Sequence, residues 1–543
     1  MKEPGEVNLA WALALLRGLV SAGVERMVVS PGSRNTPLLL AADLMPGVHA
    51  EVVVDERSAA FLALGMAKAT RRPVGLVATS GSAPGNWLPA VLEADEAEVP
   101  LLLLSADRPW ELQACGANQT TDQTDLFGGH LRAFHGLPPA EAEDLLLERL
   151  YHLGRQAVWE SLWPRPGPVH LNLPFREPLV PVGDLPQPAP EPVRPHHRPR
   201  LEPEAALVEA LVRRAQEGFG LVLAGAGCGS AEAVLALGEA LGVPVLADAL
   251  SGVRFCGRRS PVLIDGYGRF LEDEARAAAL RPDWILQLGR LPLSAALHKA
   301  LRAWKVADYW VATPQGRFLD PLNLGIEPVA VTPERLCSSL AGAAAVREEP
   351  RWLHRWRHAS QREGELPWPA RLVRTLLDTL PAESLLFCGN SLAVRWVETW
   401  AEARPMVLQI HANRGVSGID GNLSTFLGMA RCHGSGARLA LLGDLTFQHD
   451  LGGLAAAGGV NAQVVVLANG GGGIFEHMPQ RRLPAYEKYW KTPQRLDLAG
   501  AARLFGVAYH RVESLESLAE ALETFRCRSG VALLELVVPG EGV

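Results

Sequence analysis

The chain has 543 residues, of which 48% are hydrophobic and 20% charged, with a formal net charge of −7. This composition is typical of a globular protein, and the length predicts about three or four domains. The acidic balance gives no electrostatic reason to expect nucleic acid or an anionic membrane as a partner. There is no apolar run of about 18 residues and no signal-peptide pattern, so we expect a cytoplasmic protein without membrane insertion. Seven scattered cysteines without a CxxC pair argue against a zinc site or a disulfide framework.

Two connecting segments divide the chain. Residues 181–203 are proline-rich and predict an extended linker, and residues 346–368 are polar and tryptophan-rich and predict a second, partly helical connection. The predicted domains are therefore residues 1–180, 200–345 and 366–543. In each of them short apolar runs alternate with amphipathic helical patterns. This alternation predicts α/β domains with doubly wound, mostly parallel sheets.

The predicted strands are short and apolar, and a helix is predicted over residues 58–70. In chain order the strands are residues 27–29, 52–54, 74–77, 101–104, 221–223, 284–286, 385–388, 439–442 and 464–467. A glycine-rich turn at residues 225–230 follows one of them. It resembles a nucleotide-binding turn but lacks a full GxGxxG and an acidic partner about 20 residues on. A tight strand-to-helix turn is the favoured interpretation, and nucleotide binding is kept as an alternative.

Oxygen-bearing residues follow two of the predicted strands in the last domain. Asp444 comes after the strand at 439–442, and Asn469 comes after the strand at 464–467 and before a glycine run, residues 470–473. Adjacent parallel strands would place these side chains together at the carboxyl edge of the sheet, where such sheets bind ligands. A carboxylate, an amide oxygen and a backbone carbonyl suit Mg²⁺, and glycines allow backbone N–H groups to approach a diphosphate.

Glu56 is the second candidate. It follows an apolar run and precedes a helical pattern, and taken alone it is explained as an acidic residue favoured at a helix N-terminus. The stretch DERSAAFLALGMAKAT at residues 55–70, however, resembles the pyrimidine-binding half of thiamine diphosphate (ThDP) enzymes. Asp444 followed 25 residues later by Asn469 resembles their diphosphate-binding signature. The resemblance implies that Glu56 is the catalytic glutamate that binds N1′ of the cofactor's pyrimidine.

Further strings narrow the resemblance. The chain contains three distinctive strings, SPGSRNTPL at 30–38, GNSLAVR at 389–395 and NRGVSGIDG at 413–421, and two supporting ones, SADRP at 105–109 and GANQT at 116–120. Together they resemble the 2-succinyl-5-enolpyruvyl-6-hydroxy-3-cyclohexene-1-carboxylate (SEPHCHC) synthase family of menaquinone biosynthesis. The resemblance implies a transferase of the ThDP-enzyme fold. It would decarboxylate 2-oxoglutarate and add the resulting succinyl carbanion equivalent to isochorismate, releasing CO₂. It also implies a homodimer or homotetramer with active sites between subunits.

The same resemblance assigns roles to individual positions. The metal, Mg²⁺ with Mn²⁺ as an alternative, would be held by Asp444, Asn469 and Gly471. The cofactor-binding residues would be Glu56, Ile419, Gly443, Asp444, Asn469, Gly471, Gly472, Ile474 and Phe475. The substrate-binding residues would be Ser33, Arg34, Arg108, Asn118, Gln119, Asn390, Ser391, Arg395 and Arg414. Leu445 and Ala468 depart from the usual metal motif without removing an oxygen ligand.

The arginines among these residues also carry an expectation of their own. Arg34, Arg108, Arg395 and Arg414 fall in predicted loops after strands, and arginine pairs well with carboxylates. Four of them around one site would suit two dicarboxylate substrates. Arg290 in the middle domain is a weaker candidate for substrate contact. Another ThDP-dependent decarboxylase or carboligase, and a catalytically silent member of the fold, remain alternatives.

Overall fold

The computed structural model describes residues 3–344, 351–361 and 364–539 and contains three six-stranded sheets. All neighbouring strands within each sheet run parallel, and helices pack on the sheets. The predicted fold class is confirmed. The exact domain boundaries stay a prediction. The second connecting segment lies partly outside the described residues, and its described part contains a helix at Arg351–Ser360.

The first sheet is built from the amino-terminal part of the chain. Its strands are β1 (Arg26–Val29), β2 (His49–Val52), β3 (Val74–Ala78), β4 (Leu101–Asp107), β5 (Ala133–Gly136) and β6 (Pro168–Pro174). Its helices are α1 (Pro4–Ser21), α2 (Thr36–Leu44), α3 (Glu56–Thr70), α4 (Leu88–Ala97) and α5 (Asp144–Leu162). The strand order is β2-β1-β3-β4-β6-β5.

The predicted strand at residues 52–54 is wrong in position and in burial. β2 ends at Val52 and is an edge strand. The side chains of Val52 and Val54 are 67% and 79% exposed, and only Val53 between them is buried. A short apolar run does not reveal whether its strand lies in the middle or at the edge of a sheet.

The second sheet has the order β12-β11-β10-β7-β8-β9. Its strands are β7 (Gly220–Ala224), β8 (Val245–Ala247), β9 (Leu263–Ile264), β10 (Trp284–Leu288), β11 (Asp308–Thr313) and β12 (Glu327–Ala330). Its helices are α6 (Ala205–Glu217), α7 (Ala231–Leu241), α8 (Tyr267–Phe270), α9 (Glu274–Ala279), α10 (Ala295–Trp304) and α11 (Pro333–Ala343), and α12 (Arg351–Ser360) follows.

The glycine-rich turn after β7 packs against its own chain. A Cβ added at Gly225 would lie 1.7 Å from the backbone oxygen of Arg290, so only glycine fits there. Ser230 caps α7 by accepting a hydrogen bond from the Ala233 amide. These contacts support the interpretation as a tight strand-to-helix turn.

The third sheet has the order β14-β13-β15-β16-β18-β17. Its strands are β13 (Ser384–Cys388), β14 (Leu408–His411), β15 (Arg438–Gly443), β16 (Ala462–Ala468), β17 (Ala508–Val512) and β18 (Val531–Val537). Its helices are α13 (Trp368–Thr379), α14 (Leu392–Trp400), α15 (Asn422–Cys432), α16 (Asp444–His449), α17 (Leu498–Phe505) and α18 (Leu515–Arg526). None of the described helices of the whole chain combines the length and apolar character needed to cross a bilayer.

The first and third parts of the chain share one hydrophobic core. Helices α3 and α15 cross within it, and glycine allows their backbones to approach. A Cβ at Gly65 would lie 2.0 Å from the Thr425 oxygen, and one at Gly428 would lie 2.1 Å from the Leu62 oxygen. This close crossing fixes the position of α3, and therefore of Glu56, against the third sheet.

Candidate active site

A cavity of about 560 Å³ opens at the carboxyl ends of β13, β15 and β16, the edge where parallel sheets bind ligands. It brings together twelve of the residues predicted from the sequence: Asn390, Ser391, Arg395, Arg414, Ile419, Gly443, Asp444, Asn469, Gly471, Gly472, Ile474 and Phe475. The predicted residues of the first domain, Glu56 among them, do not line this cavity within one chain.

Three oxygen-bearing groups converge at one end of the cavity. Strands β15 and β16 are neighbours, with Gly443 beside Leu467, so Asp444 and Asn469 follow at the same edge. In one orientation of the Asn469 amide, its oxygen lies 2.9 Å from the Gly471 oxygen and 3.1 and 3.2 Å from the Asp444 carboxylate oxygens. In the other orientation the amide nitrogen donates to the same atoms.

This oxygen spacing fits a small divalent cation. Octahedral Mg²⁺ with bonds of about 2.0–2.1 Å brings neighbouring ligand oxygens to about 3 Å from one another. Among the described residues no group of three or more His, Cys, Asp or Glu is placed to hold a metal. The mixed set of Asp444, Asn469 and the Gly471 carbonyl is therefore the metal-binding candidate.

The Asp444 carboxylate also organises the backbone around it. It is 5% exposed and accepts hydrogen bonds from the amides of Leu445 at 2.7 Å and Gly471 at 2.9 Å. Burial raises the pKa of this carboxyl, and the backbone N–H groups of Leu445, Gly471 and Gly470 oppose that rise. A cation at this position would favour the ionised form further.

Steric contacts explain why glycine is needed within the glycine run, and the sequence does not reveal them. A Cβ at Gly471 would lie 2.2 Å from the Lys491 oxygen, and one at Gly472 would lie 2.2 Å from the Trp490 oxygen. A later segment of the chain therefore occupies the space that side chains would need. At Gly443 an added Cβ would meet only Thr446 Oγ1, at 3.8 Å, so this position leaves room on the cavity side.

Two cations stand in the same cavity. An Arg395 guanidinium nitrogen donates to the Ser391 oxygen at 2.7 Å, and one of Arg414 donates to Asn390 Oδ1 at 2.9 Å. Desolvation lowers the pKa of both, and the charge of Arg395 lowers that of Arg414 further. No carboxylate of the described residues makes a salt bridge with either, so the pair presents positive charge to an anionic ligand.

The backbone near these cations is strained. Ser391 has φ 80° and ψ −126°, a conformation that costs a non-glycine residue about 1–3 kcal/mol and clusters at functional sites. Arg395 follows it in the first turn of α14, so the prediction that Arg395 lies in a loop is wrong. Placement on a helix holds the guanidinium more rigidly than a loop would.

Glu56 is the first residue of α3 and is partly exposed. Asp55 caps the helix by accepting from the Ser58 amide at 3.0 Å, and Arg57 donates to the His449 oxygen at 3.0 Å. The start of α3 therefore lies beside the end of α16. The sequence-based placement of Glu56 at a helix start holds, while its contact with a cofactor stays a prediction.

Arg34 and Arg108 form a second pair, at the carboxyl ends of β1 and β4. Arg34 is 3% exposed and donates to the Phe175 oxygen at 2.8 Å and to Glu177 at 2.6 Å. Desolvation and the charge of Arg108 lower its pKa. Arg108 Nε donates to the Asn118 oxygen at 3.3 Å. The two arginines are neighbours, but the Arg34 guanidinium is already paired with the Glu177 carboxylate.

The remaining predicted residues of this domain lie close to that pair. Gln119 has φ 53°; its side chain donates to the Ser80 oxygen at 3.2 Å, and Ser80 Oγ donates to the Gln119 oxygen at 3.0 Å. Ser33 and Asn118 are exposed. Their contact with a substrate stays a prediction.

A second cavity of about 560 Å³ is lined mainly by the middle domain, with Arg290, His298, Asp248 and Phe318 in its lining. It shares Arg414 with the first cavity. Arg290 therefore lies near the candidate site, and its contact with substrate stays a prediction.

Several residues that shape the site lie outside the set of site residues predicted from the sequence. Lys68 and Glu93 lie on helices of the first domain, yet both bind the loop that carries Arg414. Within the third domain, Asn422 donates to the Gly418 oxygen of the same loop, and Asn413 of the loop donates to Thr425 on α15. Only the packing of the domains brings Lys68 and Glu93 to the loop, so no local pattern reveals their contacts with it.

The chain is similar to known proteins along nearly its whole length. Residues 10–126 match the family model "Thiamine pyrophosphate enzyme, N-terminal TPP binding domain", and residues 395–536 match "Thiamine pyrophosphate enzyme, C-terminal TPP binding domain". The chain is 40% identical over 542 residues to the SEPHCHC synthase of Dechloromonas aromatica, covering 99% of both chains. It is 35% identical to that of Bacillus velezensis, covering 95% of this chain and 92% of the relative.

Solved structures support the fold. The crystal structure of benzoylformate decarboxylase from Polynucleobacter necessarius superposes with a TM-score of 0.76 at 17% identity, covering 100% of both chains. Identity this low speaks for the architecture alone.

Proposed function

We propose that the protein is a transferase of menaquinone biosynthesis, because the chain belongs to the SEPHCHC synthase family of thiamine pyrophosphate enzymes. It would convert 2-oxoglutarate and isochorismate to 2-succinyl-5-enolpyruvyl-6-hydroxy-3-cyclohexene-1-carboxylate and CO₂. One observation carries the proposal: a single cavity joins the oxygen set of Asp444, Asn469 and Gly471 to Arg395 and Arg414, neither of which makes a salt bridge within the described part of the chain.

The oxygen set would hold Mg²⁺, or Mn²⁺, and through it the diphosphate of ThDP. Asp444 supplies the charge, and Asn469 and the Gly471 carbonyl supply neutral oxygens at the spacing that the ion requires. Gly443 leaves room beside them. ThDP, when bound, supplies the electron sink for loss of CO₂. Ile419, Ile474 and Phe475 line the same cavity and would exclude water from the reacting groups.

Glu56 would hold a proton at N1′ of the aminopyrimidine. Because Glu56 does not line the cavity of its own chain, we propose that it serves the cavity of a second copy. Val52 and Val54 beside it are exposed, and they support this assembly because clustered apolar surface marks protein–protein contacts. Dimer or tetramer formation and a cytoplasmic location are part of the proposal.

The arginines would match the carboxylates of the two substrates. Arg395 and Arg414 are assigned to 2-oxoglutarate or to a position shared by both substrates, with Asn390 and Ser391 orienting them. Arg34 and Arg108 are assigned to isochorismate, together with Ser33, Asn118 and Gln119. Arg34 must then release Glu177 in order to pair with the substrate, or it must bind the substrate through its Nε. That nitrogen has no hydrogen-bond partner within the described residues.

The test is CO₂ release from 2-oxoglutarate, measured with and without isochorismate, ThDP and Mg²⁺. We expect release that depends on ThDP and Mg²⁺, and product formation that requires isochorismate. Replacing Arg34, Arg108, Arg395 or Arg414 by Met should raise the KM of at least one substrate at nearly unchanged ThDP affinity. Losing one partner of a buried charge pair costs about 2–5 kcal/mol. Preference for pyruvate over 2-oxoglutarate would instead identify another ThDP decarboxylase or carboligase.

A further inference from the structure

The loop that carries Arg414 has no regular secondary structure of its own. Residues 412–421 connect β14 to α15, and they include both Arg414 and Ile419. A loop of this kind needs external contacts to hold a side chain in one orientation, because the entropy of its backbone opposes order. The third domain supplies some of these contacts, and four hydrogen bonds come from Lys68 and Glu93 in the first domain of the same chain.

Glu93 on α4 binds the loop from one side. It is 1% exposed, and its two carboxylate oxygens accept hydrogen bonds from consecutive backbone amides, Gly415 at 2.9 Å and Val416 at 2.8 Å. The fit is close: a Cβ added at Gly415 would lie 2.6 Å from the Glu93 backbone oxygen. A buried carboxylate that takes two successive N–H groups directly after Arg414 fixes the peptide planes next to that residue.

Lys68 near the end of α3 binds the residues on the other side of Arg414. Its ammonium donates to the Ala412 oxygen at 2.8 Å and to Asn413 Oδ1 at 2.9 Å, and it lies 3.9 Å from Glu93 Oε1. Burial lowers the pKa of Lys68, and the charge of Glu93 opposes that change. The pair therefore neutralises its own charge inside the domain interface while holding the loop on both sides of Arg414.

The same contacts continue to the guanidinium. Asn390 donates from its amide nitrogen to the oxygens of Asn413 at 2.7 Å and Gly418 at 2.6 Å. Its amide oxygen accepts from Arg414 at 2.9 Å. The orientation of the Asn390 amide, and with it the Arg414 head, therefore depends on the backbone that Lys68 and Glu93 hold.

We propose that Glu93 and Lys68 are positioning residues for substrate binding, acting from the first domain through the loop on Arg414. The inference rests on the proposed function, because it assigns to Arg414 a substrate carboxylate. Neither residue lines the cavity, so neither is assigned a contact with substrate or cofactor.

The test is a double-mutant cycle between Glu93→Gln and Arg414→Met. Glu93→Gln keeps the shape but removes the charge and one acceptor oxygen. We expect kcat/KM to fall about 10- to 100-fold, as displacement of a binding group commonly causes, through a higher KM for the substrate whose KM also rises in Arg414→Met. In the Arg414→Met background, Glu93→Gln should have little further effect, because residues that act through one group are not additive.

Two controls separate positioning from folding. Glu96→Gln changes a carboxylate one turn further along α4 that pairs with Arg317, and it should leave both KM values unchanged. ThDP affinity and C2 proton exchange of bound ThDP should remain as in the wild type in Glu93→Gln. Independent, multiplying effects of the two substitutions, or an equal loss of ThDP binding, would overturn the proposal.

A second variant and a measurement without substrate complete the design. If Glu93→Gln fails to fold, Lys68→Met tests the same loop from its other side in the same cycle with Arg414→Met. Hydrogen exchange at the Gly415 and Val416 amides should be faster in Glu93→Gln, and unchanged protection would overturn the anchoring. A wild-type protein that releases no CO₂ from 2-oxoglutarate would refute the proposed function, and the exchange measurement would still decide whether Glu93 holds the loop.

Discussion

Replacing Asp444 by Ala is the most direct test of the metal-binding assignment. The carboxylate accepts hydrogen bonds from the backbone amides of Leu445 and Gly471. Its two oxygens lie 3.1 and 3.2 Å from the Asn469 amide group. The substitution therefore removes the carboxylate proposed as a metal ligand and also releases the glycine run that contains the Gly471 carbonyl. We expect the affinity for ThDP in the presence of Mg²⁺ to fall sharply.

The magnitude follows from these contacts. A hydrogen bond to a charged group contributes about 1.5–3 kcal/mol, but the two amide bonds are lost from the unliganded protein as well, so only part of that energy appears in binding. Loss of the charged metal ligand comes in addition. We expect ThDP to bind at least about 100-fold more weakly, which corresponds to about 2.7 kcal/mol. Asp444→Asn keeps one acceptor oxygen without the charge and should fall between wild type and Asp444→Ala.

Isothermal titration calorimetry with ThDP at saturating Mg²⁺ measures this difference directly. Asp497→Asn provides a matched control, because Asp497 is an exposed carboxylate of the same domain that caps α17. Circular dichroism would establish that the variants are folded. Unchanged ThDP affinity in a folded Asp444→Ala protein would refute the metal-binding role.

Three further predictions concern other parts of the chain. Glu56→Gln should leave ThDP bound but slow exchange of its C2 proton by at least about 100-fold, the lower end of what acid–base groups contribute. Exchange that NMR shows to be as fast as in the wild type would exclude the assigned role. Burial lowers the pKa of His170 from 6.5 to about 3, so the unfolded state binds the proton more readily. The free energy of unfolding should be insensitive to this group above about pH 6.5 and should fall below it, by about 2 kcal/mol at pH 5. Urea denaturation should show that the free energy of unfolding falls less between pH 6.5 and pH 5 in His170→Gln than in the wild type. An equal fall in both proteins would contradict this cause. Val54→Asp should weaken self-association in analytical ultracentrifugation and lower activity at low protein concentration, whereas an active monomer would contradict the shared-site assembly.

The fold was predictable because its signals are local. Runs of three or four apolar residues alternate with helical patterns, and parallel sheets follow from that alternation. The pairing of Asp444 with Asn469 was predictable for a related reason: consecutive strands of such sheets are usually neighbours, and β15 and β16 are adjacent. The edge position of β2 was not predictable, because exposure depends on what else packs against the strand.

The site was predictable only where its residues belong to a recognisable string. The sequence shows the glycines at 471 and 472, but the steric reason for them is the backbone at residues 490–492, about twenty residues further along the chain. Glu93 and Lys68 hold a loop more than 300 residues away in sequence. Contacts of this separation depend on how whole domains pack, which no pattern within one segment encodes.

The packing of α3 also bears on where Glu56 acts. The helix crosses α15 very closely: a Cβ added at Gly65 or at Gly428 would lie about 2 Å from the backbone of the other helix. The crossing lies inside a core that both domains share. Turning α3 to bring Glu56 into the cavity of its own chain would break this crossing. It would also break the Lys68 contact that holds the Arg414 loop. A second copy that presents its own Glu56 leaves both intact, so the same packing that supports Arg414 also favours an active site shared between two chains.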